Sequence, residues 1–373
     1  MTEKESNKKK SIFKNLIEKE KESLRKAKKP LIITIVALVL LALLVIGFAS
    51  IRIDKISKMT FDEMLVFAAN NKNTKITVGI VQNGEMSYKV YGKNKEEHPQ
   101  IEHVYEIASI TKTFTVALLF KAIDEGKASL DDSIDKYMDL PNKEYYPTLK
   151  RLVTHTAGYA TEYTGNTKAQ LLNLIGKTDL QNKDYNFNYS NYGFEVIGLV
   201  IEGIYGEDYT KLINDYIKNE LGLANTIVND GTGDLGGYSV EREDSGKKPS
   251  GALTSTITDM MDYAKIQLEG VPTYLADMHN PIVDVAAGMR QSQKLNTRID
   301  SMGASWLIDT ENGITWHDGA MGNYNSYIGF DKERQIAVVV LINTMPDILI
   351  PSSLHASIIG AKLLTDLQKT RKP

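Results

Sequence analysis

The chain has 373 residues, with 44 Lys and Arg against 47 Asp and Glu, 42% apolar residues, 27 Gly, 10 Pro and no Cys. This is the composition of a globular protein with room for one large domain or two ordinary ones. The absence of cysteine excludes a disulfide framework, a thiol nucleophile, an iron–sulfur cluster and a thiolate zinc site.

The net charge of −3 averages two unlike parts. Residues 1–30 carry 11 basic and 5 acidic side chains, whereas residues 51–373 carry 33 and 42. An acidic balance beyond residue 50 argues against a nucleic-acid partner. Between the two parts lies LIITIVALVLLALLVIGFAS, 20 uncharged residues at 31–50. That length suits a helix crossing roughly 30 Å of hydrocarbon, with the basic side retained in the cytosol. The expected organisation is a basic cytoplasmic tail (1–30), a transmembrane signal anchor (31–50), a linker (51–58) and an extracellular domain (59–370). A cleaved signal peptide is the rival, since Gly47-Phe48-Ala49 resembles a small-x-small cleavage site, but the long run and its long basic lead favour the anchor. In the tail, Ile12, Phe13, Leu16, Ile17 and Leu24 share one face among lysines, a pattern suited to an anionic leaflet or to a solvated helix.

Alternation over Ile76–Gly92 about Asn83-Gly84 predicts a β-hairpin. From Thr111 the spacing of Phe114, Ala117, Leu118, Ala122 and Ile123 predicts a helix ending at Gly126. Further helices are expected over Lys168–Leu174, Tyr192–Ile204, Tyr209–Leu221 and Thr258–Leu268, and a polar surface loop over 229–250. Strand character returns at Asn325–Phe330 and Ile336–Asn343 around the turn Asp331-Lys332-Glu333-Arg334. Pro351 then opens a last helix through about Leu367. The pattern predicts an α+β fold: an antiparallel sheet from both ends of the domain, flanked by helices, with a mainly helical region inserted between.

Ser-x-x-Lys places a hydroxyl and an amine one helical turn apart, so a lysine deprotonated by burial can activate the serine. The pattern occurs six times, starting at Ser6, Ser11, Ser23, Ser109, Ser133 and Ser245. Three precede the membrane segment, Ser245 is in the polar loop, and carboxylates around Ser133 would keep Lys136 protonated. Ser109 alone, in VYEIASITKTFTVALLF, stands at an extended-to-helix junction, where its own N–H can serve an oxyanion and the helix N-terminus favours negative charge. The plain alternative is that Ser109 is an N-cap. Tyr189-Ser190-Asn191 and His317-Asp318-Gly319 follow in order. A phenol near a lysine can be held partly ionised or relay a proton, and an Asn amide can orient a lysine and a substrate carbonyl. Taken singly, Tyr189 and His317 would also suit structural roles. His155 and Gly158 are read as loop-shaping, Ser255 as a cap for the helix near Thr258, and Tyr185–Tyr192 as cleft lining or packing. The six histidines (His98, His103, His155, His279, His317, His355) form no metal-ligand pair, so neither a metal nor another cofactor is expected.

Together the segments IASITKTFT, IDEGKASLDDSIDKYM, LKRLVTHTAGY, YSNYGFEVIGLVIEGIYG, SGALTSTITDM and WHDGAMGNYNSYIGFDKERQIAVVVLIN resemble the successive blocks of the class C beta-lactamase-like, penicillin-binding-protein-like serine hydrolases. The resemblance runs from about residue 60 to 367. It implies Ser109 as the acylated nucleophile, Lys112 as its base, Tyr189 as proton carrier for the leaving group and deacylating water, and Asn191 as the residue that positions Lys112 and the substrate amide. It further implies that His317 and Gly319 line a sheet edge and that the Ala320 and Ser109 N–H groups form the oxyanion hole. The expected activity is hydrolysis of D-amino-acid amides or esters of the cell envelope, with a small-molecule or cell-wall substrate. Lys-Thr-Gly is absent and His317 stands in its place, so a substrate carboxylate is attracted less, which counts against the alternative of a beta-lactamase. A non-catalytic binding or sensor protein is the remaining alternative; it would have no need of a buried amine beside a serine.

Overall fold

Asn83 and Gly84 take φ of +54° and +79° between β1 (Ile76–Gln82) and β2 (Glu85–Tyr91), which pair from Ile76↔Tyr91 to Gln82↔Glu85. A two-residue loop with both φ positive matches the twist of the strands it joins, as the Asn-Gly pair predicts. The computed structural model describes residues 34–45, 47, 50–69, 73–100, 102–165, 167–183, 185–229, 248–285, 294–345 and 354–370, with isolated positions in the tail.

The chain forms two units, residues 1–57 and 58–373. In the first, Thr34–Ser57 is a 24-residue helix whose most apolar window has mean hydropathy 2.9 and no buried share, long and apolar enough to cross a membrane. It runs on through Ser57, so the segment expected as a linker is helical up to its last residue. The apolar face read in the tail lies outside the described residues.

In the second unit the remaining strands are β3 (Glu97–His98), β4 (Tyr105–Glu106), β5 (Ile227–Val228), β6 (Leu253–Ser255), β7 (Val283–Asp284), β8 (Ser301–Met302), β9 (Leu307–Asp309), β10 (Ile314–Met321), β11 (Tyr324–Asp331) and β12 (Ile336–Ile342). Among the described residues they form an antiparallel sheet in the order β3-β2-β1-β12-β11-β10-β9-β8-β7 and a small sheet β4-β6-β5. β1 pairs with β12 from Ile76↔Ile342 to Gln82↔Ile336, so the sheet is closed by strands from both ends of the domain. The helices are α1 (Phe61–Ala68), α2 (Thr111–Asp124), α3 (Leu149–Val153), α4 (Lys168–Lys177), α5 (Asn191–Tyr205), α6 (Tyr209–Asn219), α7 (Lys248–Gly251), α8 (Ile257–Glu269), α9 (Thr273–Asp277) and α10 (Ala356–Lys369). The mixed architecture is the α+β fold expected. The start at Pro351 and most of the 229–250 loop lie outside the described residues.

Register shows which face carries what. Gly79, Val339 and Ile328 are cross-strand partners and share one face, where a Cβ on Gly79 would lie 2.7 Å from Met261 of α8. Tyr327 and Val340 share the opposite face, where Tyr327 packs on Gly360 of α10. Helices therefore cover both faces. This is why β12, IAVVVLI, is an unbroken buried apolar run instead of an alternating one. α2 is buried on most of its circumference, including Lys112.

α5 lies against the segment after Ser133 through a glycine: a Cβ on Gly203 would sit 1.9 Å from the Tyr137 carbonyl oxygen. Backbone cannot yield as a side-chain end can, so Gly203→Ala is expected to destabilise by about 1–3 kcal/mol. Urea denaturation of the variant measures this; unchanged stability would show that the helix shifts freely.

Candidate active site

Ala108 holds φ of +47°, a left-handed conformation for a non-glycine residue, and so turns the chain from β4 through the short helical turn Ala108–Ile110 into α2. Such a conformation costs on the order of 1–3 kcal/mol and is kept where the surroundings over-determine it. Ile110, not Ser109, is the N-cap of α2, and no side chain caps it. The Ser109 hydroxyl is thus not spent on capping. Lys112 Nζ, one turn on, donates to Ser109 Oγ at 3.1 Å and to the Ser250 carbonyl at 2.5 Å. Its side chain is wholly buried, with Nζ 4.9 Å from the centroid of the Tyr189 ring and 5.5 Å from that of Phe194. The Nζ–Oγ contact run in reverse, with Oγ–H donating to an unprotonated amine, is the geometry a general base requires.

The Tyr189 phenol lies close enough to the Ser109 hydroxyl to feel it electrostatically. Burial pushes its phenol well above the usual range, and the Ser109 hydroxyl opposes this only in part. Tyr189 is therefore a neutral phenol near pH 7, which fits the proton relay, one of the two roles open to it in the sequence, better than partial ionisation. Asn191, first residue of α5, directs its amide Nδ2–H to Glu162. Asn191 is not among the hydrogen-bond partners described for Lys112. The Ser250 carbonyl accepts from Lys112, and the Ser250 N–H donates in turn to Glu195 Oε1 at 3.1 Å. Glu195 is 2% exposed. Sequence reasoning missed both residues: Ser250 lay in a polar loop, though Glu195, a single charge in the apolar run NYGFEVIGLVI, was a visible signal.

β10 supplies the third side. His317↔Ile328 and Gly319↔Ser326 are cross-strand partners on the α8 face, whereas Asp318↔Tyr327 lies on the α10 face. Asp318 accordingly lies half-buried on the α10 side, near Ser357 and away from the site, and burial raises its pKa. His317 Nδ1 donates to the Asp318 carbonyl at 2.7 Å, which fixes the proton on Nδ1. Burial, followed by the Lys112 charge, pushes His317 down to about 3, so the ring is neutral at pH 7. A Cβ on Gly319 would lie 2.2 Å from the Ile107 carbonyl oxygen and 3.0 Å from Ala108 Cβ. Glycine is what allows β10 to reach the Ser109 turn. β9 pairs with β10 only over Ile314–Trp316, leaving His317 to Met321 beyond that pairing, with Ala320 exposed.

Ser109, Lys112, Tyr189, His317 and Gly319 thus gather at one place, with Asn191 at its edge. Tyr192, in the aromatic stretch read as cleft lining or packing, is buried with its ring 4.4 Å from that of Tyr159, a packing role. Thr256, not Ser255, caps α8; Ser255 lies in β6. Among the described residues, no group of three or more His, Asp or Glu could hold a metal ion.

The beta-lactamase family matches residues 67–352, and the chain belongs to that family. It is 23% identical over 297 residues to Protein flp of Staphylococcus aureus (strain N315), covering 71% of this chain but only 58% of that protein's length. It is also 23% identical over 310 residues to the D-alanyl-D-alanine-carboxypeptidase/endopeptidase AmpH of Escherichia coli (strain K12), covering 73% of this chain and 80% of the relative. A beta-lactamase/D-alanine carboxypeptidase from Pseudomonas syringae shares the fold with a TM-score of 0.67 at 17% identity, over 86% of this chain and 99% of that one.

Two predictions follow from the buried groups. Gly319→Ala is expected to slow serine labelling by a fluorophosphonate at least tenfold, because its Cβ would push β10 off the Ser109 turn; an unchanged rate would show that this approach is not needed. His155, His279 and His317 are all held below the ordinary imidazole value by burial. The unfolded chain then binds protons that the folded one refuses, so stability is complete above about pH 6.5 and is lost as pH falls below it, for His317 down to about 3. For His317 alone this amounts to about 2 kcal/mol at pH 5. Thermal melts from pH 7.5 to 5 test it, with a shallower slope expected in His317→Asn.

Proposed function

We propose that this protein is a serine hydrolase that works through an acyl-Ser109 intermediate. One observation carries the reading: a wholly buried lysine amine 3.1 Å from the hydroxyl of Ser109, with the centroid of the Tyr189 ring 4.9 Å from that amine. Lys112 Nζ takes the Ser109 proton as Oγ attacks the substrate carbonyl. The carbonyl oxygen becomes an oxyanion facing the N–H groups of Ser109 and Ala320. Tyr189 gives its proton to the leaving amine or alcohol as the scissile bond breaks, and the proton on Lys112 restores the phenol. Water then attacks the acyl-enzyme, giving up its proton along the same groups and releasing Ser109. Asn191 positions the substrate amide, and His317 and Gly319 line the strand against which the substrate lies.

The substrate class is a D-amino-acid amide or ester of the cell envelope, as in D-Ala-D-Ala trimming or D-alanyl ester removal. The activity in the name of the Escherichia coli relative supports this class. A neutral His317 attracts a substrate carboxylate less than a fixed ammonium would, which disfavours penicillins as turned-over substrates and, within this class, favours esters over peptides that end in a free carboxylate. The helix Thr34–Ser57 anchors the protein in the cell membrane with the basic tail inside and the catalytic domain outside.

The test is mass spectrometry of the detergent-solubilised protein after brief exposure to a fluorophosphonate and, separately, to a penicillin, with Ser109→Ala alongside. The expected result is one adduct on Ser109 from the fluorophosphonate, little from penicillin, and none in the variant. Lys112→Ala and Tyr189→Phe should each slow labelling by about 10²–10⁴, without adding. Catalytic consumption of the penicillin would replace this reading by a beta-lactamase. Labelling by neither reagent would sink it in favour of a binding protein.

A further inference from the structure

We propose that His155 is a positioning residue for Tyr189: it clamps the backbone on both sides of the tyrosine and supports the phenol ring from beneath. The inference rests on the role given to Tyr189 above. The His155 carbonyl accepts from the N–H of Asn188 at 2.9 Å, and its ring Nδ1 accepts from the N–H of Ser190 at 3.0 Å. The residue between those two donors is Tyr189. The imidazole itself stacks on the Tyr189 ring with centroids 4.5 Å apart and planes at 29°. Phe194 and Phe187 close round the imidazole at 4.9 and 5.7 Å, the latter edge-on.

His155 also holds two unfavourable features that packing alone does not require. Its φ is +58°, a left-handed backbone for a non-glycine residue, with a cost on the order of 1–3 kcal/mol. Because Nδ1 accepts from Ser190, the ring proton sits on Nε2, and that N–H is buried with no partner among the described residues. A buried unmet donor costs about 1–3 kcal/mol. Burial and the neighbouring Lys112 and His317 hold the imidazole well below its ordinary pKa. It is therefore uncharged near pH 7 and keeps Nδ1 as an acceptor there. Strain and an unmet donor tolerated together beside reacting groups are the marks of a position fixed for function.

The imidazole touches neither Ser109 nor Lys112 in any contact described, so its effect passes through Tyr189. This makes a definite prediction for a double-mutant cycle. The probe is the second-order rate of labelling by a fluorophosphonate, measured on the full-length chain in detergent, together with Ser109-dependent hydrolysis of 4-nitrophenyl acetate. His155→Phe retains a ring but removes the acceptor for Ser190. It should lower both rates roughly 10- to 100-fold in the native background and less than about threefold in the Tyr189→Phe background. His155→Asn should recover most of the loss, because Asn tolerates positive φ and its side-chain carbonyl can accept from Ser190. Melting curves guard against misfolding: the Asn variant should melt within a few degrees of the native chain.

Equal losses in the two backgrounds would overturn the inference and leave His155 a structural residue, with the serine hydrolase reading intact. Full activity in His155→Phe would overturn it as well. Absence of labelling in the native chain would instead overturn the hydrolase reading, and this inference with it.

Discussion

Removing an ammonium from water costs several kcal/mol unless hydrogen bonds and fixed dipoles replace its hydration. Lys112 is wholly buried, and its Nζ finds the Ser109 hydroxyl, the Ser250 carbonyl and the faces of two aromatic rings. These partners come from three separate parts of the chain. α2 contributes the lysine and the turn before it the serine; α7 supplies the carbonyl, and the Tyr189–Phe194 segment the rings. The folded domain must bring all of them together before the lysine can be accommodated. The helical region inserted between the sheet strands does this, and Glu195 extends the arrangement by holding the N–H of Ser250 while its carbonyl faces the amine.

The sheet adds a second constraint by its alternation. Successive residues of β10 point to opposite faces, so His317 and Gly319 reach the site only if Asp318 is sent to the α10 side, near Ser357. A register slip by one residue would exchange these roles, aiming a carboxylate at Lys112 and burying an imidazole under α10. The long pairing of β11 with both neighbours, Thr315↔Phe330 to Met321↔Tyr324 on one side and Asn325↔Ile342 to Asp331↔Ile336 on the other, fixes the register against that slip.

How much of this was legible in the sequence depends on whether the signal was local. The Asn83-Gly84 hairpin and the helices of 3.6-residue period were, because turn geometry and an apolar face are written within a few residues. Ser109, Lys112, Tyr189 and His317 were legible as motifs, since one helical turn fixes the first pair and an ordered set of blocks carried the rest. Partners were not. That Asn191 reaches Glu162, that Ser250 holds Lys112, and that Thr256 instead of Ser255 caps α8 depend on contacts between residues far apart, or on a shift of one position, which no pattern of residue types records. His155 is the clearest case. Its neighbourhood reads as a loop, and its backbone strain and its grip on either side of Tyr189 exist only in three dimensions.

The two strained non-glycine residues at the site share a logic. Ala108 at φ +47° and His155 at φ +58° stand immediately before the serine and beneath the tyrosine, the groups between which a proton would have to travel. A proton passes between oxygens only over a narrow range of distance, and relaxing either backbone would move one end of that path. The surrounding core can sustain both conformations because neither stands alone: the carbonyl before Ala108 accepts from the Ser326 hydroxyl, and that of His155 from Asn188. Strain, packing and hydrogen bonding therefore fix the same two positions, and moving either would require breaking a bond on a separate element of the fold.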